Sequence, residues 1–145
     1  MDFLTALKIS SSALSAQRLR MDVISSNLAN VNTTRTSEGG PYRRRDVVFA
    51  SQPITDTFGE VLNSELEKSL QKVEVVDISI DQKPPKMVYD PRHPDANSLG
   101  YVGMPDINVI EEMVNILSAT RSYEANVAVI NATKSMVSKA LEIGK

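Results

Sequence analysis

The residues of this sequence best suited to chemistry surround its single histidine, His93. Asp90 and Asp95 lie on either side of it, and an Asp-x-x-His-x-Asp set has the ligand types of a metal site. However, Pro91 and Pro94 flank the histidine, and the chain offers no cysteine and no second histidine. We therefore interpret this segment as a turn and expect no bound metal.

The other residue combinations that commonly support catalysis are incomplete in this sequence. With no cysteine and one histidine, pairs of a nucleophile with a histidine base have almost no candidates. No serine stands in a Gly-x-Ser-x-Gly elbow. Gly39 and Gly40 precede Pro41 instead of the Lys-Ser or Lys-Thr that completes a phosphate-binding loop. The sequence predicts neither an enzyme nor a cofactor.

The most basic stretch is the run Arg43, Arg44 and Arg45. It could hold a phosphate or an acidic partner, but such a run is more often a solvated strand edge or loop. The chain as a whole has 16 basic and 18 acidic residues, and its formal net charge is −2. This balance argues against a protein that binds nucleic acid.

The composition is that of a folded protein, with 41% hydrophobic and 23% charged residues. A chain of 145 residues suffices for one ordinary domain, or for a long helical element with a small satellite. No apolar run is long enough to cross a bilayer. The first residues lack the plan of a secretory signal, so we expect export, if any, without a cleaved signal peptide.

The C-terminal third has the strongest structural pattern. Apolar positions recur there in alternating steps of four and three, which keeps one face of a helix against a partner. Residues 108–143 contain no proline or glycine, so they predict one helix of about 36 residues, roughly 54 Å long. Asp106 or Asn108 would cap it, and Glu111 and Glu112 would complement its N-terminal dipole. The predicted pairing seam comprises Val109, Met113, Ile116, Tyr123, Val127, Ile130, Val137 and Leu141.

The first 30 residues predict a second amphipathic helix, which supplies a partner for this seam. Its companion row is polar, with Ser11, Arg18 and Ser25, so the helix is marginal alone and gains stability by packing. An ordinary surface helix of a globular domain is the alternative. The Asn-, Ser- and Thr-rich residues 25–34 favour a helix-ending cap over a polar recognition surface. The row predicted to pair has a period of seven: Leu7, Leu14, Met21 and Leu28.

Residues 35–105 predict an inserted β-rich domain with loops. They separate residues 1–34 and 106–145, which we expect to form one discontinuous helical domain. The predicted fold class is therefore mainly α, with terminal helices paired like a coiled coil and flanking a small, mostly antiparallel β-unit.

Within the inserted region, residues 42–49 and 72–81 are the candidate strands. Alternation in the second changes parity at Val76, as a β-bulge or a bend would produce. Residues 87–89 predict a return strand after a proline-rich turn. A short helix or ordered loop is predicted around 58–70, and residues 96–105 are interpreted as a turn-rich link.

Several distinctive blocks occur at both ends of the chain and in much of its centre: residues 12–17, 21–30 with Thr33, 38–44, 89–94, 100–102 and 111–127. Together these blocks resemble the axial proteins of bacterial flagella, and among them the flagellar basal-body rod proteins. Asp106 departs from the pattern, which has Asn there, but either residue caps a helix.

The resemblance implies a structural subunit of the proximal rod in the flagellar basal body. Its terminal helices would pair and polymerise into a torque-transmitting drive shaft, with the β-unit outside the helical core. Type III export would place the rod across the periplasm. The implied partners are copies of the chain, other rod proteins, the motor-ring protein and the export gate, with no nucleic acid and no membrane span.

Four apolar residues of the long helix lie off the seam and are predicted to contact neighbouring subunits: Ile110, Val114, Leu117 and Val129. A broader interface within one chain is the alternative for these residues. For the whole protein, the alternative is a coiled-coil adaptor or regulator that binds a partner helix without polymerising.

Overall fold

A computed structural model describes residues 3–54 and 70–143 of the chain. Two long helices flank two small antiparallel sheets, which confirms the predicted fold class. Most of the segment 58–70, predicted as a short helix or ordered loop, lies outside the described residues. The elements are α1 (Phe3–Ala29), β1 (Arg45–Pro53), β2 (Gln71–Ile80), β3 (Lys86–Tyr89), β4 (Tyr101–Met104) and α2 (Val109–Ile143).

At the start of α2 and at the end of α1, local side chains form hydrogen bonds with backbone groups that lack a partner within the helix. Asn108 caps α2, because its Oδ1 accepts the N–H of Ile110 at 3.1 Å. At the end of α1, the side-chain amide of Asn30 donates to the carbonyl of Ser26 at 2.9 Å. The Thr33 hydroxyl in turn donates to Asn30 Oδ1 at 3.1 Å. The predicted cap after α1 is confirmed, and Asn108 rather than Asp106 caps α2.

Strands β1 and β2 form an antiparallel pair from Arg45 opposite Ile80 to Pro53 opposite Gln71. The register shifts between Val48, which pairs with Asp77, and Phe49, which pairs with Val75. Val76 is therefore the extra residue of β2, and it is 63% exposed. This confirms the β-bulge that the change of parity predicts.

Strand β3 forms as predicted, but it pairs with β4 and not with β2. The sequence pattern of residues 96–105 predicts a turn-rich link and gives no indication of β4. Polar turn contacts bring the strands together, since Asn97 Oδ1 accepts the amides of Leu99 and Tyr101 at 3.0 and 2.9 Å. The rings of Tyr89 and Tyr101 then meet edge to face, with centroids 5.3 Å apart.

Helix α1 occupies the centre of the arrangement, because it contacts α2 as well as β1 and β2. Ser12 Oγ accepts the N–H of Val73 in β2 at 3.3 Å, and the Arg20 guanidinium lies 5.9 Å from the ring centre of Phe49 in β1. The β1–β2 ribbon therefore runs along α1.

Replacing Gly100 by Ala should destabilise the fold more than replacing Gly39 by Ala. Both glycines have positive φ, 80° and 89°, so each change costs about 1 kcal/mol in backbone strain. An added Cβ at Gly100 would also lie 2.9 Å from Cε2 of Tyr89, whereas nothing lies within 4 Å at Gly39. Urea unfolding followed by circular dichroism measures the difference, and equal losses would show that Tyr89 moves freely.

Candidate assembly interface

The face of α2 that packs on α1 is built from small and polar residues. Its most buried side chains are Glu112, Ala119 and Thr133, and Asn126 of the same row is half-buried. Larger residues flank this row and keep part of their surface in solvent. Small side chains let two helices approach closely, so steric fit decides which row lies innermost. The half-buried flanking row is Ile116, Tyr123, Ile130 and Val137.

The residues predicted for the pairing seam divide into two groups. Ile116, Tyr123, Val127, Ile130 and Val137 are half-buried, and so are Leu7, Leu14, Met21 and Leu28 on α1. By contrast, Val109, Met113 and Leu141 are exposed in the single chain. Each residue of the innermost row directly precedes one position of the predicted four-three repeat, namely 113, 120, 127 or 134. A pairing role for the full predicted set stays a prediction.

The four predicted inter-subunit residues, Ile110, Val114, Leu117 and Val129, are all exposed. Three of them form one surface with Met113, because positions 110, 113, 114 and 117 follow the i, i+3, i+4, i+7 pattern of a helix face. We call this surface the apolar stripe. Ile110 is its most exposed member at 73%. A contiguous exposed apolar surface is typical of an interaction site, although its use between subunits stays a prediction.

Where α1 ends, Asn27 forms the centre of a buried polar cluster. Its side chain is fully buried and uses all of its hydrogen-bonding capacity. Nδ2 donates to the carbonyl of Arg45 at 2.8 Å and to Glu112 Oε2 at 2.9 Å. Oδ1 accepts the N–H of Arg45 at 3.0 Å and the hydroxyl of Tyr42 at 3.1 Å. We call Asn27, Tyr42, Arg44 and Glu112, with the backbone of Arg45, the polar junction.

Glu112 supplies the negative charge of the junction and is only 1% exposed. The Arg44 guanidinium donates to its Oε1, with Nε at 2.9 Å and Nη2 at 2.8 Å, and also contacts Asp46 at 3.2 Å. Partial burial acts to lower the pKa of Arg44, but hydrogen bonds and charge from Glu112 and Asp46 outweigh it and raise that pKa. The buried carboxylate is thus fully paired.

The arginine run separates into residues with different surroundings. Arg44 is half-buried in the junction, which corrects the prediction that the whole run is solvated. Arg43 and Arg45 are exposed, as predicted. Arg43 donates to Gln82 Oε1 at 3.1 Å, and the Arg45 guanidinium lies 5.7 Å from the ring centre of Tyr42.

The histidine segment forms a turn held by its own side chains. His93 Nδ1 accepts the N–H of Asp95 at 3.1 Å, and the Asp95 carboxylate accepts the hydroxyl of Thr34 at 2.8 Å. Across residues 3–54 and 70–143, no group of three or more His, Cys, Asp or Glu residues could hold a metal ion. In the same ranges, neither helix is long and apolar enough to span a bilayer.

Sequence reasoning missed the polar junction. It assigned Glu112 to the helix dipole and Asn27 to a terminating cap, each by local rules. A usable signal was present, because Glu112, Ala119, Asn126 and Thr133 also repeat every seven residues along α2. A row of small and polar residues beside an apolar row indicates close helix contact as readily as solvent exposure.

Comparison with known proteins matches both helical ends of the chain. Residues 7–35 match the family described as "Flagella basal body rod protein", and residues 98–143 match "Flagellar basal body rod FlgEFG protein C-terminal".

Full-length relatives carry one name, "Flagellar basal-body rod protein FlgC". The Bacillus subtilis (strain 168) protein is 50% identical, with 97% of each chain covered. The Borreliella burgdorferi protein is 46% identical over 99% of this chain and 98% of the relative. The Escherichia coli O157:H7 protein is 41% identical with both chains fully covered. The chain belongs to the FlgC family of flagellar basal-body rod proteins. It is a structural subunit of the rod.

The two matched segments contain α2, all of α1 except residues 3–6, and two of the four side chains of the polar junction. Asn27 lies in the first segment and Glu112 in the second. In this chain the contact between Asn27 and Glu112, which are 85 positions apart, joins the two matched segments. The β1–β2 ribbon lies between the two matched segments.

Replacing Glu112 by Ala should destabilise the chain strongly, whereas replacing its neighbour Glu111 should not. The first change leaves the Arg44 guanidinium and the Asn27 amide without their acceptor inside the fold, at a cost of about 3 kcal/mol or more. Glu111 is exposed, and its loss should cost less than about 0.5 kcal/mol. Urea unfolding of both variants tests this, and similar values for the two would contradict a buried, paired carboxylate.

Proposed function

We propose that this chain polymerises through α1 and α2 into the proximal part of the torque-transmitting rod, which crosses the periplasm. The observation that carries the proposal is the apolar stripe on α2 in a member of a rod-subunit family. A surface of this kind is costly to leave in water and is covered when a neighbouring helix packs on it. Half-buried leucines on α1 offer further area to a second neighbour.

The helical and the β-rich parts of the chain have different roles in the proposed rod. Residues 1–34 and 106–145 act as one helical domain that forms the core of the rod, and residues 35–105 act as an outer β-rich domain. Support comes from the pairing of α1 with α2, and from the position of the β1–β2 ribbon on the side of α1.

The partners are copies of this chain and other rod proteins, with the motor-ring protein and the export gate at the base of the rod. Several exposed apolar residues outside the stripe, including Leu4, Met136 and Leu141, give the helices more than one surface for neighbours. The role is structural, and the chain acts by packing and not by catalysis.

Removal of either terminal helix distinguishes a rod subunit from a non-polymerising adaptor. In a strain lacking the native gene, we expect chains without residues 3–29, or without residues 109–143, to fail in both rod assembly and swimming. The full chain serves as the control. An adaptor that binds one partner helix would retain assembly with one of the two ends absent, and that outcome would reject polymerisation through the paired helices.

Replacing Ile110 and Leu117 together by Glu should abolish rod assembly while leaving the single chain folded. Both side chains are exposed, so the unfolding free energy of the chain should change by less than about 0.5 kcal/mol per site. In the assembled rod, however, each change would bury an unpaired charge. Swimming and purified rods report assembly, and urea unfolding reports the single chain.

The matched control for this double variant is Ser118→Glu combined with Ala125→Glu, which adds the same two charges at exposed positions of α2 outside the stripe. We expect this variant to swim. Normal swimming of the double variant would contradict the assembly role of the stripe, and a parallel loss of folding stability would assign the stripe to the single chain.

A further inference from the structure

The apolar pattern of the helix pair does not by itself define how far one helix is shifted along the other. Leu7, Leu14, Met21 and Leu28 repeat every seven residues on α1, and the half-buried residues of α2 repeat with the same period. A shift of one heptad, about 10.5 Å, would again place apolar residues opposite apolar residues. Some other contact must therefore select one register.

We infer that the polar junction is a register lock, with Asn27 and Glu112 as its positioning residues. The inference concerns the single chain and goes beyond polymerisation. Its basis is the contact from Asn27 Nδ2 to Glu112 Oε2 at 2.9 Å, which joins α1 to the first turns of α2 in the interior of the fold.

A heptad shift would remove the acceptor that this contact requires. The residues seven positions from Glu112 are Pro105 and Ala119, and neither has a side chain that accepts a hydrogen bond. The fully buried Asn27 amide would then lose its carboxylate acceptor, and the half-buried Arg44 guanidinium would keep only Asp46, which is strongly unfavourable. Only the observed register satisfies both donors.

The junction also fixes where the β1–β2 ribbon starts. The Asn27 carboxamide meets both the N–H and the C=O of Arg45, the first residue of β1, at 3.0 and 2.8 Å. Two hydrogen bonds from the planar carboxamide to the backbone of Arg45 fix the orientation of that residue, as two hydrogen bonds from a neighbouring strand would. Asn27 therefore holds α1, α2 and β1 in a single arrangement.

By comparison, the contact observed further along the pair is weak. The Thr120 hydroxyl lies 3.6 Å from the sulfur of Met21, and it also donates to the carbonyl of Ile116 at 2.8 Å within its own helix. This contact identifies which residues are adjacent in the native register. It contributes little to selecting that register, because its donor is already satisfied.

Engineered cysteines can measure the register directly, since the chain contains none of its own. Met21→Cys combined with Thr120→Cys reports the native register. Met21→Cys combined with Met113→Cys or Val127→Cys reports a shift of one heptad in either direction. With a short thiol-specific crosslinker and dilute full-length chain, we expect the native pair to react at least about tenfold faster than the shifted pairs.

Asn27→Leu should then let the shifted pairs react at rates approaching that of the native pair, and Ser25→Leu is the matched control. Ser25 is exposed on α1 two positions away, so its replacement should leave the native preference intact. A native preference that survives Asn27→Leu would overturn the inference. Equally slow reaction of all pairs would also overturn it, because Asn27 would then maintain the fold and not the register.

A charge exchange provides a second measurement that does not depend on an apolar replacement. Asn27→Asp places a carboxylate against Glu112, and we expect it to lose the native crosslinking preference. Adding Glu112→Gln to that variant supplies an amide donor to the new carboxylate and should restore at least half of the preference. Failure of this rescue, with both variants folded by circular dichroism, would exclude a specific Asn27–Glu112 contact as the lock.

Discussion

The arrangement of this protein depends on a single buried carboxylate. A charge removed from water must be paired and hydrogen-bonded, so the Glu112 side chain requires donors that no one segment of the chain can provide. Arg44 comes from the start of the β region and Asn27 from the end of α1. These demands bring together the end of α1, the residues just before β1 and the first turns of α2.

The two kinds of surface on the helices serve different purposes. Polar and small residues such as Asn27 and Ala119 lie at the closest contact within the chain, where geometry is exacting and satisfied groups give specificity. Large apolar residues such as Ile110 and Leu117 lie on the outside, where contact is less directional and area determines the free energy. On α2 the largest apolar side chains are therefore among the most exposed, which is consistent with the assembly proposed above.

Sequence reasoning succeeded where a local rule determines the outcome. The absence of proline and glycine predicts α2, the sequence offers Asp106 or Asn108 as its cap, and the change of parity at Val76 predicts a bulge or a bend in β2. It failed where distant segments choose each other. The pairing of β3 with β4 depends on turn contacts at Asn97, and the innermost row of α2 depends on side-chain size more than on hydrophobicity. The partnership of Arg44 with Glu112 links positions 68 residues apart, beyond any local pattern.

The position of α1 between α2 and the β1–β2 ribbon has a mechanical consequence. The ribbon is attached to α1 at Ser12, Arg20 and Asn27, at intervals of roughly two helical turns. A force that pulls the ribbon along the helix axis therefore loads these attachments in parallel, as shear, and does not peel them apart one after another. The ion pair of Arg44 with Glu112 adds a second path to α2. Force applied to the ribbon is thus transmitted to both helices at once.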